Sequence, residues 1–261
     1  MASRLAKNFT LPTLLLFGAC LQSLLTLVLP FRYALLPAFT LLAGQVINTV
    51  LISKGYIKNP YMKDTRLGKH TAQIPNADGT VSQKASDKGV VVFMLGAVSH
   101  GPQGIFDPNF RKVGDFFQTM FAGIEADAAK WGYLGTGYNT LDLDGSNSLT
   151  AFTLSYWQSI EHLHAFAHSP AHREGWAWWD EYRKQHNEVG IYHETYFSPA
   201  GQWETIYENC MPLGLGRISH PGSSGEKSSG SGGMGSGLVE ARDVKYRGMA
   251  SRMGRNSPIS G

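Results

Sequence analysis

The sequence predicts an α+β fold, a ferredoxin-like sandwich preceded by an apolar helical hairpin. Three observations predict it. Two long uncharged runs, Leu11–Leu29 and Ala34–Ser53, fill the first fifth of the chain. From Gly89 onward, strand-like and helix-like patterns follow in the order β-α-β-β-α-β with one extra edge strand, the order of a ferredoxin-like unit. From Gly214 the composition shifts to glycine and serine, which bury too little apolar surface to build a core.

The two apolar runs are each close to the ~20 residues that cross a bilayer as a helix, and only Pro30-Phe31-Arg32-Tyr33 separates them. A two-span hairpin at residues 1–54 is the expectation. A cleaved signal peptide accounts for the first run but not the second. A buried core hairpin or a monotopic hairpin remains open, because Pro37, Gln45 and Asn48 make the second run only moderately apolar. Arg4 and Lys7 precede the first run and Lys54, Lys58, Lys63, Arg66 and Lys69 follow the second. Positive charge at both outer ends places them on the cytosolic side. The expected location is a membrane, the endoplasmic reticulum, with the globular part facing the cytosol.

Charge and cysteine content narrow the partners. A net charge of +3 on 261 residues is too small to argue for nucleic acid. Cys20 and Cys210 form no disulfide framework and no CxxC signature, so a reducing compartment is expected.

Residues 55–88 are polar and punctuated by Asn59-Pro60, Pro75-Asn76 and Asp78-Gly79, the pattern of a linker. The compact domain is expected over 89–215. Val90 to Leu95 is nearly continuous apolar sequence, a strand buried on both faces. Asp107-Pro108 supplies a cap and a first-turn proline, and Val113, Phe116, Phe117, Met120, Ile124, Ala128 and Trp131 recur at helical spacing. Tyr133–Leu143 and Leu149–Trp157 read as strands joined by a turn at Asp144-Gly145-Ser146-Asn147. That turn is not a calcium loop, since Thr153 stands where an EF-hand needs glutamate.

Ser159 caps the next helix, whose inner face is Ile160, Leu163, Phe166 and Ala167. Ser169-Pro170 ends it and begins another reaching Lys184. Val189 to Tyr196 is the last core strand, and Gln202–Glu208 is expected as an edge strand beside it. Residues 216–261 are expected as a disordered Gly/Ser-rich basic tail.

Chemistry concentrates in the second half of this domain. His162, His164, His168, His172, His186 and His193 crowd it. His164 and His168 have a metal-ligand spacing, but no matching carboxylate or cysteine accompanies them, so local hydrogen bonding is the stronger expectation. His172 and Arg173 open a helix, where anions are favoured; Arg173 could equally pair with Glu174 or Asp180. Trp176, Trp178 and Trp179 are core candidates that would also line an apolar pocket.

The strand Val189-Gly190-Ile191-Tyr192-His193-Glu194-Thr195-Tyr196 is a fork. Alternation puts Ile191, His193 and Thr195 on one face and Tyr192, Glu194 and Tyr196 on the other. If helices cover the first face, His193 is the natural acid or base. If they cover the second, Glu194 takes that role, its pKa raised by burial, unless it merely pairs with Arg173 or Lys184.

The stretch Ser159 to Trp176, with Glu161-His162-Leu163-His164-Ala165-Phe166-Ala167-His168 and Ala171-His172-Arg173, resembles a fungal monooxygenase-like family, as do Gly190–Tyr196 and Glu204-Thr205-Ile206-Tyr207-Glu208-Asn209. The family is related to antibiotic-biosynthesis monooxygenases and includes an enzyme of the fumagillin pathway. The resemblance covers about Gly89 to Leu215. It implies a dimeric α/β barrel, hence a homodimer, that oxygenates a lipophilic polyketide or terpenoid intermediate of secondary metabolism with dioxygen and without metal or flavin. Such chemistry asks for a base, an anion-stabilising donor and a dry pocket. His193 or Glu194 is expected as base, Arg173 and His172 as anion stabilisers, and Trp176, Tyr196 and Tyr207 as substrate-binding walls. Two alternatives stand beside this. Haem enzymes share the superfamily, and His168, His172 or His193 could ligate iron. A non-catalytic partner that holds the intermediate for another oxygenase would use the same tether.

Overall fold

The computed structural model describes residues 8–76, 80–143, 148–220, 235–242 and 244–255. Arg4, Lys7, the Asp78-Gly79 and Asp144–Asn147 turns and most of the Gly/Ser-rich stretch lie outside them. The chain divides into two compact units, Met1–Lys63 and Asp64–Gly261.

The first unit holds α1 (Leu11–Val28) and α2 (Phe31–Ser53). Pro12 sits in the first turn of α1, where its missing N–H costs nothing, and Pro30 sits at the start of α2. Gln22 donates its side-chain amide to the Ala34 carbonyl at 3.0 Å, joining the two helices. Both are long and apolar enough to cross a bilayer, and their leucines, isoleucines and phenylalanines are almost all exposed within the unit.

The second unit begins with β1 (Arg66–Ala72), then β2 (Val90–Ser99), α3 (Pro108–Ala126), β3 (Tyr133–Leu143), β4 (Leu149–Trp157), α4 (Ile160–Ala167), α5 (Pro170–Tyr182), β5 (Val189–Ser198) and β6 (Tyr207–Cys210). Two short strands, β7 (Ser219–His220) and β8 (Gly235–Ser236), pair with each other, and β9 (Leu238–Glu240) and the single-turn α6 (Met249–Arg252) follow. The central sheet has the order β3-β4-β2-β5, antiparallel throughout. With α3 after β2 and α4–α5 after β4, this is the ferredoxin-like arrangement that the element order predicted.

Alternation along β2 divides the core in two. Val91 and Ala97 point to the helices. There Val91 packs with Ile124, Tyr133, Trp157 and Phe166, and Ala97 with Phe110, Val113, Leu149, Tyr182 and Val189. Val90 and Val92 point the other way, into a cluster with Tyr156, Leu215, Ile218 and Trp203. A second sheet, β6-β1-β9, covers part of that face, contributing Tyr207, Ala72 and Leu238. The helix starts have local causes. Asp107 Oδ1 accepts the Asn109 and Phe110 N–H groups at 2.7 and 3.1 Å, Ser159 accepts that of His162, and Ser169 that of His172.

Four expectations are corrected. Residues 55–88 are not only a linker, because β1 lies within them and pairs with both β6 and β9. The described end of the chain is not a loose tail, since Leu238 and Ala241 are buried and Arg252 forms a buried ion pair with Glu204. The strand expected at Gln202–Glu208 is shorter and later, and it joins β1 rather than β5. Trp203 is instead drawn into the core with its indole N–H on the Lys88 carbonyl at 2.7 Å. The helix expected to run to Trp131 ends at Ala126, where Asp127 leaves helical geometry, although Ala128 and Trp131 still pack on the core.

Candidate active site

Among the described residues β5 is an edge strand of the central sheet, paired with β2, and its register settles which residues share a face. His193 lies opposite Leu95, Thr195 opposite Phe93 and Ile191 opposite Ala97. These are the helix-facing positions of β2, so His193 lies on the helix side of the sheet, although at this edge the side chain itself is exposed. The imidazole of His193 stands 5.7 Å from the Phe93 ring, centre to centre.

His172 approaches the same place from the first turn of α5. Its backbone N–H is capped by the buried hydroxyl of Ser169, and its ring meets Phe166 edge-on at 5.9 Å. Burial holds its pKa below the usual histidine value, and His168 and His193 push in the same direction by opposing a second positive charge. His172, His168 and His193 therefore form an electrostatically linked group beside Phe93 and Phe166. His168 is oriented by its Nδ1 contact with the His164 carbonyl at 2.8 Å, and the two rings pack at 4.5 Å. A ring held neutral by burial resists taking up a proton and can donate a hydrogen bond from its N–H to an anion.

Arg173 and Trp176 belong to α5 as well. Both are exposed, Trp176 at 54%, and Trp176 stands one helical turn beyond His172 on the same flank. Asp180, one expected partner of Arg173, pairs with Arg183 at 2.8 Å.

The other expected residues are on the opposite side of the sheet. Glu194 faces Met94, Tyr196 faces Val92, and the Tyr196 hydroxyl donates to the Glu194 carboxylate. That hydrogen bond, with the adjacent negative charge, raises the Tyr196 pKa. Tyr207 is further away, in the small sheet. Its phenol oxygen accepts the Gly216 N–H at 2.9 Å, and burial raises its pKa. The seven predicted residues therefore do not converge on one pocket: His172 and His193 share the helix side of the sheet, and Glu194, Tyr196 and Tyr207 lie beyond it.

Two residues near Tyr207 were missed. Tyr156 is pushed up to about 12, by burial first and then by Tyr207 and Tyr138, which completes a cluster of three phenols. Gly214, at φ +52°, lets the backbone pass close to it: a Cβ there would come within 3.2 Å of the Tyr156 oxygen and 3.7 Å of the Tyr207 oxygen. The register sets Tyr138 opposite Leu154, on the face that carries Tyr156, but two register shifts in β3 keep this from being read in the sequence. Among the described residues no three histidine, cysteine or carboxylate side chains are arranged to hold a metal ion.

Comparison of the sequence with known proteins places the chain in a family. The model of the family "Monooxygenase af470-like" matches residues 90–215. Monooxygenase af470 of Aspergillus fumigatus is 36% identical over 214 residues, covering 82% of this chain and 76% of that protein. Among solved structures, an aldoxime dehydratase overlaps 57% of this chain and 37% of its own at 17% identity and a TM-score of 0.36. SnoaB, a cofactor-independent oxygenase from Streptomyces nogalater, overlaps 41% of this chain and 90% of its own at 14% identity and a TM-score of 0.28. On the sequence relation, the chain belongs to the monooxygenase af470-like family, a family of oxidoreductases.

Proposed function

We propose that this protein is a membrane-anchored monooxygenase that oxidises a lipophilic polyketide or terpenoid intermediate of fungal secondary metabolism, using dioxygen without metal or flavin. The observation that carries the site is that His193 lies on the helix side of the sheet, the side on which the half-buried His172 opens α5. His193, at the open edge, takes a proton from the substrate. His172, kept neutral by burial, donates a hydrogen bond from its ring N–H to the resulting anion, and Arg173 at the same helix start adds positive charge. The electron-rich anion then reacts with dioxygen itself. One oxygen atom stays in the product, the other leaves as water, and the substrate supplies both electrons. Trp176 forms an outer wall of this site.

Glu194, Tyr196 and Tyr207 take no part in proton transfer at this site, because the sheet stands between. The apolar helices α1 and α2 hold the enzyme at the endoplasmic reticulum membrane, where such substrates partition, with the domain in the cytosol. The working form is a homodimer.

Oxygen uptake by the full-length protein with its substrate tests the assignment. His193→Ala should lower turnover by about 10²–10⁴-fold, the usual contribution of a general base, while Glu194→Gln stays near the parent. Equal turnover in the parent and His193→Ala would remove His193 from the mechanism. A Soret band in the purified protein would replace the cofactor-free chemistry with a haem enzyme.

A further inference from the structure

We propose that the surface around β1 and the C-terminal segment is a docking face for an anionic bilayer, a device that holds the catalytic domain against the membrane. This rests on the membrane-anchored function above and extends it from the helices to the domain.

β1 is the first strand after the apolar helices in the sequence, and the end of the chain returns to it. β9 pairs with β1 through Thr71↔Val239 and Ala72↔Leu238, and the Ala241 N–H donates to the Lys69 carbonyl at 2.8 Å. The guanidinium of Arg242 fills the space that a side chain at Gly68 would need, where φ is +87°. Lys69 Nζ donates to the Arg247 carbonyl at 2.9 Å. Arg66, Lys69, Arg242 and Arg247, separated by up to 181 positions in the chain, are thereby gathered around one strand. Glu208 faces Lys69 and Glu240 faces His70, so among the described residues of this group four bases stand against two acids.

Two large apolar side chains close to these charges in the sequence are exposed. Leu67, beside Arg66, is 67% exposed, and Met249, two residues beyond Arg247, is 60% exposed. A soluble anion would use the bases and leave these two side chains in water. A bilayer uses both, since apolar side chains enter the headgroup boundary while bases meet anionic lipid. Each base near such a surface favours the docked state by about fivefold.

The test uses full-length protein with Cys20→Ser and Cys210→Ser, carrying Leu67→Cys labelled with an environment-sensitive fluorophore. Vesicles are phosphatidylcholine alone or with phosphatidylserine. Salt-resistant flotation with the neutral vesicles reports the apolar helices and stands or falls separately. Docking predicts a blue shift and quenching by brominated lipid that require phosphatidylserine and reverse in high salt. Together, Arg66→Gln, Lys69→Gln, Arg242→Gln and Arg247→Gln should cut the docked-to-undocked ratio at least a hundredfold. A probe at Met249→Cys should respond in the same way. A probe signal that is absent, or equal in neutral and anionic vesicles, overturns the docking face even when the protein floats.

Discussion

The C-terminal segment is held to the domain by a buried ion pair, and Arg252→Met measures how much that pair contributes. Arg252 and Glu204 have side chains only 6% and 15% exposed, and their contact is direct. The same guanidinium donates to the carbonyls of Tyr246 and Arg247 at 3.2 and 3.1 Å, while the Arg252 carbonyl accepts the buried Ser86 hydroxyl at 2.6 Å. Methionine fills much of the volume but leaves a carboxylate without its partner. Breaking a buried pair on one side costs about 3–5 kcal/mol. Release of the segment lets Glu204 reach water, so the lower end applies, about a hundredfold in the opening equilibrium. Hydrogen exchange on the full-length protein reads this directly. The amides of Arg252, Met253, Gly254 and Arg255, which donate to the carbonyls of Gly248, Met249, Ser251 and Ala250, should exchange about a hundredfold faster. Amides of β2 and β4 should not change. Adding Glu204→Gln should restore most of the protection, because no unpaired charge then remains. Exchange within threefold of the parent in the single variant would refute the argument.

Two further predictions concern titration. Burial keeps His172 below the usual 6.5, so the folded protein prefers the neutral ring. The stability it contributes is complete above that pH and is lost as pH falls through the folded-state value. His193→Gln should raise the His172 midpoint in an NMR titration without bringing it to 6.5, and an unmoved midpoint would mean that the two rings do not interact. Tyr133, pushed up from 10.0 to about 12, contributes stability below pH 10 that is lost between pH 10 and 12. The full loss is about 2.7 kcal/mol. Tyr133→Phe should flatten part of the fall in urea midpoint across that window; an unchanged slope would count against burial as the cause.

Much of the central sheet was legible because its elements carry their own signals. Tyr133–Leu143 and Leu149–Trp157 are found at the expected limits, since alternation and the turn between them define both ends. Pro108 and Pro170 fixed helix starts through backbone chemistry alone. β1 was not legible. Arg66-Leu67-Gly68-Lys69-His70 has no apolar alternation, and the strand exists through partners more than 130 residues away, β6 and β9. β9 is three residues long beside a glycine-rich stretch, so its burial is a tertiary fact. The candidate site divides in the same way. Which β5 side chains share a face follows from a period of two, but which face the helices cover depends on packing. Hence Glu194 and Tyr196, so prominent in the sequence, lie on the side away from His172. The Tyr138, Tyr156 and Tyr207 cluster needs strands from two sheets, and only their juxtaposition reveals it.

The central claim is that this chain itself carries out an oxygenation. The most direct test is isotopic: purified full-length protein, ¹⁸O₂, and the lipophilic intermediate that accumulates when the gene is deleted. The account predicts a product with one ¹⁸O atom, the other recovered in water, without added metal or flavin, and loss of labelling in His193→Ala but not in Glu194→Gln. An unlabelled product, or substrate bound tightly with no oxygen consumed, would contradict it.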